Sequence, residues 1–224
     1  HTVHGQFRDT AGNVVDTTDD IVLDTTVPMA SFVINGDAAL TNDQNVTLNN
    51  TVTDAVDMQF SNDGVTYSGW VAYAPSAAWV LPPGDGEHTV YGQYRDASGN
   101  VAETTDDITL DTTLPAASFV INNDDASTAD LNVTLINTSL DAVDMQYSDD
   151  GVTYSGWVAY AVTAAWTLPA GDGTHTVYGQ FRDGAGNVVD ATDDIVVDTT
   201  APDVPILATE PAFTAGLTNA VAWG

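Results

Sequence analysis

One segment occurs three times in this chain at a fixed interval: HTVHGQFRDTAGNVVDTTDDIVLDTTVP from His1, HTVYGQYRDASGNVAETTDDITLDTTLP from His88 and HTVYGQFRDGAGNVVDATDDIVVDTTAP from His175. The interval is 87 residues each time. Solenoid units run to roughly 20–50 residues and share one continuous core, whereas roughly 100 residues suffice for a β-sandwich, so each copy is expected to enclose a core of its own. The chain then divides into the last strands of one repeat (1–26), two whole repeats (27–113 and 114–200) and a final incomplete piece (201–224) that departs from the pattern. Its first residue falls inside a repeat and is not Met, so it reads as a segment of something longer.

Within 114–200, apolar alternation and turn residues predict seven short strands and no helix. AASFVIN (116–122) is the first, and LNVTLIN (131–137) follows with Leu131, Val133 and Leu135 on one face. VDMQYS (143–148) points Val143, Met145 and Tyr147 inward and Asp144 and Gln146 outward. The turn Asp149-Asp150-Gly151 then leads into VTYSGWVAY (152–160). AAWTLP, THTVYGQFR and NVVDATDDIVVD complete the set, with Val177, Phe181, Ile195 and Val197 in the core. The fold class is therefore all-β: tandem immunoglobulin-like β-sandwiches of about seven strands each, built from two packed antiparallel sheets.

The stretch WTLPAGDGTHTVYGQFRDGAGNVVDATDDIVVDTTAP resembles the end of a bacterial immunoglobulin-like repeat of large surface and adhesin proteins. Three motifs carry the likeness: the Asp-Gly-x-His-x-Val turn, the Arg-Asp-x-x-Gly-Asn hairpin and the terminal Asp-Thr-Thr-x-Pro joint. The resemblance spans 1–200 and implies a tandem extracellular setting at a cell surface. PILATEPAFTAGLTNAVAWG (205–224) resembles the first strands of a fibronectin type III-like module, with Trp223 as its core tryptophan.

Net charge is −29, and every acid except Glu87, Glu103 and Glu210 is an aspartate. Nucleic acid and anionic membranes are poor partners for such a surface, and no apolar run approaches the roughly 20 residues that span a bilayer. Short carboxylates serve turns and hard cations better than helices. There is no cysteine, so something other than a disulfide must hold these small domains and their joints. Calcium is the candidate cofactor, with Asp24, Asp111 and Asp198 at the three joints as candidate ligands. Loop residues Asp63, Asp149, Asp150, Asp96 and Asp183 are possible contributors. The competing reading has each terminal Asp cap a turn by accepting backbone N–H groups.

All three basic side chains, Arg8, Arg95 and Arg182, share one repeat position and are expected to pair with a carboxylate of an adjoining strand or turn. His88 and His175 stand where a tyrosine corner would place its tyrosine, which makes them structural rather than catalytic. No nucleophile or second base recurs beside them, so no enzyme is expected. Asp193 should face the core side or the sheet edge. Four asparagines, Asn45, Asn49, Asn132 and Asn137, head Asn-x-Ser/Thr triplets.

The pattern points to a non-catalytic structural segment of a long extracellular protein, a semi-rigid stalk or fibre whose partners are neighbouring domains or copies of the same protein, joined in one variant by strand addition between incomplete sandwiches. The alternative is a carbohydrate-binding module that meets cell-surface glycans through Tyr67, Trp70, Tyr73 and Trp79 and their counterparts Tyr154, Trp157, Tyr160 and Trp166. Exposed, coplanar rings on Trp70 and Trp157 would mark it.

Overall fold

The computed structural model describes residues 1–203, which contain strands and turns and no helix. The fibronectin-like reading of 201–224, with Trp223, lies almost wholly outside the described residues. Strands β1 (Thr2–Arg8) and β2 (Val14–Asp20) form a lone hairpin. The first whole repeat follows as β3 (Met29–Ile34), β4 (Leu40–Thr41), β5 (Asn45–Thr53), β6 (Asp57–Ser61), β7 (Val71–Ala72), β8 (Ser76–Val80), β9 (Gly86–Arg95) and β10 (Val101–Leu110). The second repeats this order as β11 (Ala117–Ile121), β12 (Ser127–Thr128), β13 (Asn132–Ser139), β14 (Asp144–Ser148), β15 (Val158–Ala159), β16 (Thr163–Thr167), β17 (Gly173–Arg182) and β18 (Val188–Val197).

Each repeat is a two-layer sandwich: a three-stranded sheet, β3-β5-β8 or β11-β13-β16, faces a five-stranded one, β4-β10-β9-β6-β7 or β12-β18-β17-β14-β15. Alternation drives the burial. In β5, Val46, Leu48 and Asn50 are buried while the residues between them are exposed, as a period of two on a half-covered sheet requires. The facing strands bring in Phe32, Ile34, Phe60, Val90, Tyr94 and Ile108, and the second repeat encloses Phe119, Ile121, Tyr147, Val177, Phe181 and Ile195 in the same places.

Two features depart from the sequence pattern. Each repeat carries an extra two-residue strand, β4 or β12, that runs parallel to β10 or β18, and two residues are too few to display an alternation. The expected strand over 152–160 shrinks to Val158–Ala159. Its N–H groups are already taken: Asp150 accepts those of Val152 and Thr153 at 2.8 and 2.7 Å, and Ser155 donates its own to the Tyr147 carbonyl at 2.8 Å. Val143, expected inward, is 49% exposed because β14 begins only after it, and Gln146, expected outward, is buried. Asp193 lies at the sheet edge, where its Oδ2 accepts the N–H of Ile121 at 2.7 Å. Asp106 does the same for Ile34 at 2.8 Å, so a carboxylate stitches β3 or β11 to the opposite sheet.

The lone hairpin isolates what the rest of a sandwich contributes. Its strands pair in the register of the whole repeats, Phe7 opposite Val15 as Phe181 is opposite Val189. Phe7 is nevertheless 63% exposed where Tyr94 and Phe181 are at 0%, because the three-stranded sheet that would cover it has no counterpart there. Backbone pairing is local, whereas the core needs both layers.

Candidate interdomain joint

The segment between the two whole repeats is short and its backbone groups are engaged. Asp111 donates its N–H to the carbonyl of Thr41 at 2.9 Å, which ties it to the repeat before. Asp85, in the tight turn between β8 and β9, takes the next two residues. Its Oδ1 accepts the N–H and hydroxyl of Thr112 at 2.9 and 2.8 Å, and its Oδ2 accepts the Thr113 hydroxyl at 2.7 Å. Those bonds favour the charged form, so the Asp85 carboxyl is held below its ordinary value, chiefly by Thr113 and Thr112. Asp172 makes the same set with Thr199 and Thr200 at the end of the second repeat, and its carboxyl is lowered to about 2. Beyond Thr113, Pro115 is buried and Ala116 donates to Asp141 Oδ1 at 3.2 Å.

The repeat that follows reaches back with the hairpin between β17 and β18. Asp183 Oδ1 accepts the N–H groups of Ala185, Gly186 and Asn187 at 2.8–2.9 Å, and its Oδ2 holds the Asn187 amide at 2.9 Å. The same amide nitrogen donates to the Asp111 carbonyl at 2.8 Å. Beside it Leu40 approaches Gly184 so closely that a Cβ on that glycine would lie 3.3 Å from Leu40 Cδ1. At the preceding joint the corresponding Asn100 donates to the Asp24 carbonyl at 3.2 Å, and Ser98 to Asp24 Oδ2 at 3.4 Å.

The three joint aspartates hold turns. Asp24, Asp111 and Asp198 each accept the N–H of the residue two further on, Thr26, Thr113 or Thr200, at 3.0–3.1 Å. Calcium takes six to eight oxygens, and among the described residues no three His, Cys, Asp or Glu side chains converge as its ligands would. At Asp111 the Thr113 N–H occupies Oδ1 and the Asn187 amide occupies the carbonyl, two of the oxygens a cation would use. Asp63 and Asp150 are not at the joints: their turns lie against Tyr91 and Tyr178, with the glycine after each within contact of the ring. The N–H of Thr66 and the Ser61 hydroxyl, joined by Val65, hold the Asp63 carboxyl far below the usual range, and Asp150 is held likewise by Thr153, Val152 and Ser148. Asp149 accepts the Trp166 indole N–H at 2.8 Å.

The basic residues and histidines brace each sandwich from within. Arg95 sends Nε and Nη2 to one oxygen, Oδ2 of Asp57 on β6, and stacks 4.5 Å over the Trp70 ring; Arg182 does the same with Asp144 and Trp157. The partners are about a third exposed, so the ion pair itself contributes at most about 1 kcal/mol and the stacking adds a comparable amount. Arg8 has no carboxylate partner among the described residues, since nothing beside β1 takes the place of β6. His88 and His175 place Nε2 2.8 Å from the carbonyls of Gly84 and Gly171, four residues upstream, at the same turns that carry Asp85 and Asp172. Trp70 and Trp157 are half-buried, each with one ring face under a guanidinium, and Trp79 and Trp166 lean on the core beside Phe60 and Tyr147. Of the four triplet asparagines, Asn137 is buried; the other three are exposed.

What the sequence pattern misses is the role of the hairpin asparagine and of Asp85 and Asp172. A signal was available: Gly-Asp-Gly and Asp-x-x-Gly-Asn recur at the same interval as the joints they serve.

No protein-family model matches the chain, and no curated protein matches it. Solved structures do. The fibronectin(III)-like modules of CbhA from Clostridium thermocellum share 16% identity at a TM-score of 0.52, over 75% of this chain and 94% of that one, and they show the fold. A tetra-tandem repeat from the extending region of a large adhesion protein is 20% identical, with a TM-score of 0.32, over 89% of this chain and 56% of its own. A Ca2+-stabilized adhesin with which an Antarctic bacterium reaches out and binds ice is also 20% identical, with a TM-score of 0.39, over 88% and 56%. This chain thus spans just over half the length of those two.

Proposed function

We propose that this chain is a non-catalytic structural segment of a long extracellular protein, a semi-rigid stalk or fibre of sandwich domains that displays something else at a distance from a cell surface. The observation that carries the reading is the joint. Residues 111–116 have five N–H groups, because residue 115 is proline, and four of them are bonded, to Thr41, Asp85, Asp111 and Asp141. A flexible tether leaves such groups to water. With the joint held from both sides, the number of repeats converts into reach.

The aspartates fit this role as anchors of backbone. They fix the hairpins, the turns after β6 and β14, the joint threonines and the sheet edges, work that would otherwise fall to a larger core or to disulfides. Excess charge keeps such an array soluble and separates neighbouring copies.

Small-angle X-ray scattering of the segment, in chelator and again with millimolar calcium at fixed ionic strength, tests the reading through the maximum dimension. An extended particle of constant length supports a stalk stiffened by its own bonds, and one that lengthens with calcium supports a stalk that a cation sets. A compact particle in both conditions defeats the stalk.

A further inference from the structure

We infer that the asparagine at the end of each β-hairpin, Asn187 and its counterpart Asn100, is a latch that fixes a repeat on its predecessor without a metal ion. The proposal rests on the stalk reading and states what sets its stiffness.

Both halves of the bond are oriented before they meet. The donor is aimed by its own hairpin: Asp183 gathers three backbone N–H groups and one amide hydrogen of Asn187, leaving the other hydrogen for a partner. The hairpin of β1 and β2 takes the same shape. There Asp9 holds the N–H groups of Ala11 and Asn13 and the Asn13 amide at 2.7–2.9 Å, as in the whole repeats. The acceptor is aimed by the repeat before, because the Asp111 carbonyl shares its peptide plane with the Thr112 N–H, which is bonded to Asp85 of that repeat at 2.9 Å. A bond between two preoriented groups costs little further ordering. Its appearance at both joints, at 3.2 and 2.8 Å, makes it a property of the repeat.

The acceptor is a backbone carbonyl, so the latch needs asparagine in the following repeat but no particular side chain at position 111. This inverts the demand of a cation, which needs the carboxylate of Asp111. The apolar contact of Leu40 with Gly184 adds shape to the second joint; the next repeat carries Ser127 in place of Leu40.

The absence of cysteine allows clean spin labelling at Val65→Cys and Val152→Cys, equivalent exposed sites in the two whole repeats. Pulsed dipolar spectroscopy in chelator then reads the spread of distances across the joint. The latch predicts a narrow distribution that Asn187→Ala broadens, with loss of the sharp peak, while Asp111→Ala keeps a peak. Asn100→Ala makes the same lesion in the other hairpin and should leave this distance unchanged. Leu40→Ser acts from the opposite side without touching the hairpin, and should broaden the distribution less; it serves if Asn187→Ala weakens its own repeat. An unbroadened Asn187→Ala or a distribution that narrows only with calcium overturns the latch and leaves the stalk standing. A broad distribution in every condition overturns both.

Discussion

The two whole repeats solve one problem from opposite sides. In the first, β6 carries Phe60 and β9 carries Tyr94; in the second, β14 carries Tyr147 and β17 carries Phe181. The ring with the hydroxyl has moved to the neighbouring strand, yet the hydroxyl has not moved in space. Tyr94 donates to Asn50 Oδ1 at 2.7 Å, and Tyr147 donates to the equivalent Asn137 Oδ1 at 2.6 Å. Each asparagine gives its amide to a carbonyl of the loop before the next strand, Ala74 at 2.9 Å or Ala161 at 2.8 Å. Burial pushes both phenols well above their ordinary value, so each stays a neutral donor. The core demands one hydroxyl at one point and is indifferent to which strand supplies it.

That comparison can be broken hardest at its centre. Asn50→Ala and Asn137→Ala each strip a buried hydroxyl and a buried carbonyl of their partner and leave a small void, and each should cost about 2–4 kcal/mol in chemical denaturation of its repeat. Equal losses would show that the two sites are the same site.

Next come the glycines under the aromatic cluster. A methyl at Gly92 would lie 2.9 Å from Phe32 Cε1, and one at Gly179 would lie 2.8 Å from Phe119 Cε1. Gly92→Ala and Gly179→Ala should each cost about 1–3 kcal/mol by overpacking, read as a lower midpoint with an unchanged denaturant slope.

The exchange itself is sharpened by a double-mutant cycle. Tyr94→Phe leaves Asn50 Oδ1 without its donor and should cost about 1–2 kcal/mol. Adding Phe60→Tyr gives the first repeat the arrangement of the second and should recover most of that loss, a coupling that strictly additive changes would contradict.

The smallest effect belongs to the joints, where the repeats are alike. Asp85 and Asp172 are depressed in the folded chain, so their contribution is present above the unfolded value near pH 4 and is lost as pH falls through the folded one, about 2 for Asp172. As pH falls below about 4 the label distance across the joint that Asp85 holds should broaden before either core unfolds. A distribution unchanged until the cores unfold would remove Asp85 from that joint's account.

Much of the fold was legible in the residues because a two-residue period and an 87-residue interval are both linear properties of a chain. Val133, Leu135, Val177 and Ile195 announce their buried face by alternation alone. The strand expected over 152–160 failed for a reason that alternation cannot express: a single carboxylate, Asp150, consumed the N–H groups that a sheet neighbour would have bonded. The candidate site was legible only in part. Asp111 was visible as a residue at a joint, but its partners Thr41 and Asn187 lie 70 and 76 positions away, and Asp85, which holds the two threonines after it, lies 26 positions away.

By itself the sequence determined the fold class, the 87-residue interval and the abundance of short carboxylates with no thiol and no lysine, since these follow from composition and period. Only the tertiary structure shows which donors those carboxylates meet. A carboxylate and a backbone amide attract each other wherever they meet, and so do a carboxylate and a cation. Which meeting occurs depends on the directions of groups far apart in the chain, and at the described joints those directions point N–H donors at the oxygens.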